Sequence, residues 1–134
     1  MFGNQFNDLS KRFRGLINVF TKAQRSRGVA LAAVANVYTP DFSAGIFFNF
    51  TPGANFTLAN PTNMPDLGDH QSGSFFITQD ATGSRTITFG NKYQAAGGIS
   101  TIVLSTAPNT KDRIDYVVGP LGNVHVSIAK DIKA

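Results

Sequence analysis

The sequence contains no cysteine, no tryptophan and no glutamate. Without cysteine, neither a disulfide framework nor a thiolate metal site can form, so the fold must rest on packing or on association with other chains. The missing glutamate leaves all eight acids as aspartate, which favours turns where glutamate favours helix interiors. Charge is sparse, at 15% of residues against about 25% in an average domain. Long hydrophobic runs are missing too. The longest near the start, Val29 to Val37, is broken by Asn36 and falls well short of the roughly 20 residues of a membrane span. The charged lead ahead of Val29 is too long for a secretory signal, and its cleavage region would run into the fold, so no signal peptide is expected.

The 134 residues present have the length of one domain with room for an appendage. Hydrophobic residues make up 42%, enough for one core, and 12 of them are Phe. Thirteen Gly and six Pro point to a turn-rich, strand-dominated fold.

The net charge of +4 is unevenly spread. Residues 1–28 carry Lys11, Arg12, Arg14, Lys22, Arg25 and Arg27 against Asp8 alone, while the rest of the chain holds six bases and seven acids. The basicity therefore belongs to an N-terminal arm, and such an arm usually meets something acidic. In that arm Phe2, Phe6, Leu9, Phe13, Leu16 and Phe20 alternate at spacings of four and three, which predicts an amphipathic helix with one apolar stripe. Ile17 broadens the stripe and Gly15 weakens it by about 1 kcal/mol relative to Ala. A lone helix of this length is marginal in water, so the stripe needs a partner. Its own β-domain, a bundle of copies, another protein and a membrane surface are the candidates. The bases are scattered around the helix, which argues for a solvated face and against specific nucleic-acid binding.

From Gly28 to Ser43 the chain reads as a connector, with Pro40 disfavouring helix at Thr39. This places the arm and connector at residues 1–39 and a β-domain at 40–134. Within the latter, Ile46, Phe48 and Phe50 alternate with Asn49, and Phe56 and Leu58 follow the turn Thr51-Pro-Gly-Ala54. Residues 60–73 contain Pro61, Pro65, Gly68 and Gly73 and are expected to form a surface loop. Phe75 and Ile77 are expected to pair with Ile87 and Phe89 across the turn Asp80-Ala-Thr-Gly-Ser84, with Thr86 and Thr88 facing out. A strand over Ile99–Ser105 follows. Then Ile114, Tyr116 and Val118 turn at Pro120-Leu-Gly-Asn123 into Val124, Val126 and Ile128. About seven short strands predict an all-β fold, a small antiparallel β-sandwich of jelly-roll-like type preceded by the helical arm.

No catalytic, cofactor or metal motif stands up. His70 and His125 are the only histidines, and they read as a loop residue and a solvent-facing strand residue. Asp80-Ala-Thr-Gly is a turn rather than an aspartic-protease signature, because Ala81 interrupts it. Asp66, Asp69, Asp112 and Asp115 supply hard oxygens but match no calcium loop. Tyr38, Tyr93 and Tyr116 are too scattered to form a sugar-stacking cluster, although Tyr93 lies in a loop-like stretch.

As an ordered series, Tyr38-Thr-Pro-Asp-Phe42, Phe56-Thr-Leu-Ala-Asn-Pro61, Gly73, Thr78-Gln-Asp-Ala-Thr-Gly-Ser-Arg85, Phe89-Gly-Asn91 and Asp112 through Val118 resemble a β-domain of tailed-bacteriophage virion proteins. These include head fibres, decoration proteins and tail fibres. The resemblance covers roughly residues 38–132 and departs at Phe89, where such modules often carry Trp. It implies a non-enzymatic structural protein on the exterior of the virion, made in the host cytoplasm. Because this module is nearly the whole chain, the expectation is a capsid decoration or head-fibre protein binding the major capsid protein or another virion protein. A tail-associated fibre or adhesin involved in host receptor binding is the alternative. The arm, through Phe2, Phe6, Leu9, Phe13, Leu16 and Phe20 with Lys11, Arg12 and Arg14, is then the expected site of capsid docking or self-association. The apolar stripe and the resemblance together favour a homotrimer, with a monomer docked through its arm on a shell protein as the alternative.

Overall fold

The computed structural model describes residues 22–134. Their nine strands are β1 (Gly28–Ala30), β2 (Val37–Tyr38), β3 (Phe47–Phe50), β4 (Phe56–Leu58), β5 (Ser72–Thr78), β6 (Ile87–Phe89), β7 (Tyr93–Ala95), β8 (Lys111–Val118) and β9 (Val124–Ala129). One 3-10 turn, Ile99–Thr101, lies between β7 and β8. The strands form a six-stranded sheet ordered β1-β3-β5-β8-β9-β7 and a three-stranded sheet ordered β2-β4-β6.

The first six strands alternate between the sheets, and each return lies beside the previous pass in parallel, β1 on β3 on β5 and β2 on β4 on β6. Strand β8 then pairs antiparallel with both β5 and β9, and β7 closes the far edge parallel to β9. The expected all-β, two-sheet architecture is present. Its pairing differs from the expected antiparallel jelly roll, because the first half of the chain is wound as coils that place like strands side by side.

The central hairpin is also corrected. Strands β5 and β6 belong to different sheets: Phe75 faces Ile114 on β8, and Ile87 faces Phe56 on β4. The intervening loop turns a corner between sheets instead of reversing within one. The hairpin in this half of the molecule is β8–β9, where Gly119 N–H donates to the Asn123 carbonyl at 2.8 Å. The segment expected as a strand over Ile99–Ser105 contains the 3-10 turn and an extended, unpaired stretch that buries Ile102 and Leu104. Upstream, the expected connector contributes β1 and β2, so the sheets take in residues ahead of position 40.

Side-chain alternation sets the core. Phe48, Leu58, Phe75, Ile114, Val118 and Val124 are fully buried between the sheets, while Asn49, Thr88, His125 and Ser127 face outward. The abundance of Phe has a packing role. Phe42 stacks on Tyr116 at 4.8 Å and Phe48 on Phe75 at 5.5 Å, and Tyr38 stacks on Phe50 at 4.1 Å with Phe56 edge-on to both. Such pairs add about 0.5–1.5 kcal/mol each beyond the area they bury.

Candidate functional site

Several of the family-like segments sit at corners of the fold. Gln79 follows β5, and its buried amide donates to the Arg85 and Ser105 carbonyls at 2.9 Å each while accepting from Arg85 N–H at 3.0 Å. Next to it, Asp80 accepts from the Thr82 and Gly83 amides and is gripped by both Nε and Nη2 of Arg85. The Arg85 hydrogen bond, followed by that from Gly83, holds the Asp80 carboxyl below its ordinary range. These residues replace ladder bonds where the chain leaves one sheet for the other.

Asn60 does similar work at the end of β4. Its Nδ2 donates to Asn91 Oδ1 at 2.7 Å, and its Oδ1 accepts from Lys92 N–H at 2.9 Å. A Cβ at Gly90 would overlap the Asn60 side chain, so the Phe89-Gly-Asn91 segment needs glycine there. Asp112 opens the core side of β8. It accepts from Ser105 N–H, Ser105 Oγ and Asp131 N–H, which ties the chain beyond β9 to the sheet.

The exposed chemistry lies on the outer face of the six-stranded sheet. Pairing register lines up Ser72, Val117, His125 and Gln94 in one cross-strand row and Ser74, Asp115 and Ser127 in the next. A shallow groove of about 500 Å³ runs over this area, lined by Gln94, Ala96, Asp115, Val117, His125 and Ser127 among others. Asp115 is oriented from two sides, as Ser74 Oγ and Arg113 Nε donate to its Oδ1 at 2.6 and 2.8 Å. Phe76 and Val117 are exposed on the same face, at 41% and 49%, and Phe47 lies beside Phe76. A surface that mixes carboxylate, imidazole, amide and hydroxyl with apolar patches suits contact with another molecule.

Several expectations can now be placed. His125 faces solvent on β9, and His70 lies in the loop with Nδ1 2.8 Å from the Val118 carbonyl oxygen. Asp112 and Asp115 point to opposite faces of β8 and share no site. Among the described residues, no three His, Cys, Asp or Glu side chains gather as a metal-binding group. Tyr93 lies in β7, not in a loop. It is buried with its hydroxyl donating to the Ala59 carbonyl at 2.8 Å, and burial raises its pKa well above the ordinary tyrosine value. The proposed arm residues Phe2, Phe6, Leu9, Lys11, Arg12, Phe13, Arg14, Leu16 and Phe20 lie outside the described residues. Of the outer-face residues, Ser127 and His125 read from sequence only as outward-facing and Gln94 and Val117 were not singled out, because outward positions become a cluster only once strand register is known.

This two-sheet fold, its corners held by side-chain amides and carboxylates and the outer face of its larger sheet covered by no described element, is a structural β-domain. Residues 38–112 match the family described as "Putative phage tail fibre C-terminal domain". The match spans more than half of the chain, and the chain belongs to this family. It is a phage virion structural protein, in keeping with the resemblance seen in its segments. No curated protein and no solved structure gives a significant match. No helix among the described residues is long and apolar enough to cross a membrane.

Proposed function

We propose that the protein is a component of the phage tail fibre, and that its β-domain takes part in binding the host surface. The observation that carries this reading is the tail fibre family match over residues 38–112. It favours the tail over the capsid-decoration role first expected from the economy of the chain. The contact surface is the outer face of the six-stranded sheet, with the groove bounded by Asp115, His125 and Ser127 and the exposed Phe76 and Val117. The N-terminal arm joins the domain to another virion protein or to its own copies, with a trimer as the working oligomer.

Immunogold labelling of purified particles tests the location. Label at the tail is the expected result, and label spread over the head would return the decoration reading to first place. Purified protein should also slow adsorption of the phage to its host. Undiminished adsorption at saturating protein would remove the host-binding part of the proposal.

A further inference from the structure

We propose that a slot beside β6 receives an extended strand from another polypeptide, one bearing apolar side chains on either side of a polar residue. The slot, about 400 Å³ in volume, lies between Arg85–Phe89 on one wall and the Ile99–Thr106 segment on the other. Five consecutive residues of the β6 wall line it. A strand shows consecutive residues to a neighbour only along its edge, because its two faces each show alternate ones.

The backbone pattern says what kind of group fits. Phe56 N–H donates to the Thr86 carbonyl and Gly90 N–H donates to the Leu58 carbonyl. In a parallel ladder alternate residues bond to the same side, so Thr88 also faces β4 while Ile87 and Phe89 turn their N–H and C=O groups to the slot. These groups make no hydrogen bond to a described residue, and neither do those of Val103 and Leu104 on the other wall. Unpaired donors and acceptors at two-residue spacing are matched by the backbone of an incoming strand.

Side chains narrow the choice. The strands stacked toward the slot read Phe56-Thr57-Leu58 and Ile87-Thr88-Phe89, with apolar residues turned inward and Thr outward. Across the slot, Ile102 and Leu104 are buried and Val103 is 56% exposed. An inserted strand with the same apolar–polar–apolar pattern would continue the layer. Among the described residues Arg85 is the one charged residue lining the slot, and Asp80 already holds it, which favours an occupant uncharged over this stretch.

A second copy offers no suitable strand among the described residues. Strand β4 is paired on both sides, and β2 is closed on its outer edge by the reciprocal Val34–Val37 hydrogen bonds. On β7, the Tyr93 N–H and the Ala95 carbonyl are already used by Gly90 and Gly98. Strand β1 reads Gly-Val-Ala, with one large apolar side chain. With no described strand of a second copy suited to the slot, the proposed occupant is a strand of a different polypeptide.

The test is an NMR titration of the isotope-labelled full chain with a capped peptide Asn-Phe-Thr-Leu-Ala-Asn, which copies residues 55–60. Saturable amide shifts confined to Arg85–Phe89 and Ile102–Leu104 are expected, with slowed hydrogen exchange at Ile87 and Phe89. Ile87→Pro removes a donor that faces the slot and leaves the Thr88 donor to β4, so it should weaken binding up to about tenfold. Val103→Asp puts a charge in the slot without touching the core and should do the same if the proline variant does not fold. Shifts elsewhere, or none, would overturn the proposal. So would slow exchange at Ile87 and Phe89 in the free protein: concentration-independent protection would mean that the chain fills its own slot, and concentration-dependent protection that a second copy does.

Discussion

Gln79 shows how a single side chain holds a corner that no strand pairing covers. It is buried, and all three of its hydrogen bonds go to backbone groups at Arg85 and Ser105. Gln79→Leu keeps much of the volume but leaves those groups unpaired, so we expect a loss of about 2–4 kcal/mol in urea unfolding. Asp80 and Asp41 add a pH dependence. Arg85, then Gly83, lowers the pKa of Asp80, and hydrogen bonds from Ser43 and Asn63 lower that of Asp41. A carboxylate whose folded pKa lies below its unfolded value, near 3.9, adds stability above that value. The contribution is lost as pH falls through the lowered folded value. Thermal melts followed by circular dichroism should therefore be flat from neutral pH into the mildly acidic range and decline below about pH 4. Asp80→Asn should blunt that decline. The Gln-Asp and Gly-Ser-Arg pieces were visible in the sequence as a turn. Their role at a sheet-to-sheet corner was not, because it depends on Ser105, far along the chain.

At the scale of elements, the close approach of β5 to the Ile46 backbone depends on Gly73. A Cβ there would overlap the Ile46 carbonyl and press on the Tyr116 hydroxyl, which itself donates to Ile46 O at 2.9 Å. Gly73→Ala should therefore disrupt the β3–β5 pairing and lower the melting temperature sharply, an effect a single thermal scan would reveal. A gain is expected at the turn before β2. Val34 and Val37 exchange two 3.0 Å hydrogen bonds across Ala35 and Asn36, which have φ of 50° and 62°. Both angles lie in the left-handed region that such two-residue turns require. Ala35→Gly should relieve the cost to Ala and raise stability by about 0.5–1 kcal/mol in urea unfolding. The inward and outward faces of most strands were legible: Phe48 and Phe50 against Asn49, and Val124 and Val126 against His125 and Ser127. Their partners were not. Phe75 and Ile87 each have the right character to face one another, yet they face Ile114 and Phe56.

For the molecule as a whole, recognition and stability should separate. The groove residues Val117 and Ser127 are exposed on a sheet whose other face carries the core. Val117→Lys combined with Ser127→Arg should change unfolding stability by no more than about 0.5 kcal/mol per site. The same variant should lose the ability of purified protein to slow phage adsorption. If adsorption is slowed as before, the contact surface lies elsewhere on the domain. Size-exclusion chromatography with light scattering checks the proposed trimer, and deletion of residues 1–21 should reduce it to monomers if the arm makes the association.

The sequence by itself determined the composition of the layers: which residues are apolar, where turns interrupt them, and which side of most strands faces inward. These follow from local chemistry, since alternation and turn preference act between residues close along the chain. The ordered segments from Tyr38 to Val118 also carried the family. Only the tertiary structure decided that the early strands wind in parallel between two sheets, that β8 is clasped by β5 and β9, and that no described strand lies beyond β6 in its sheet. Parallel and antiparallel partners ask for nearly the same side chains. The choice between them is made by distant contacts such as the Asn60–Asn91 bond and the Phe42–Tyr116 stack.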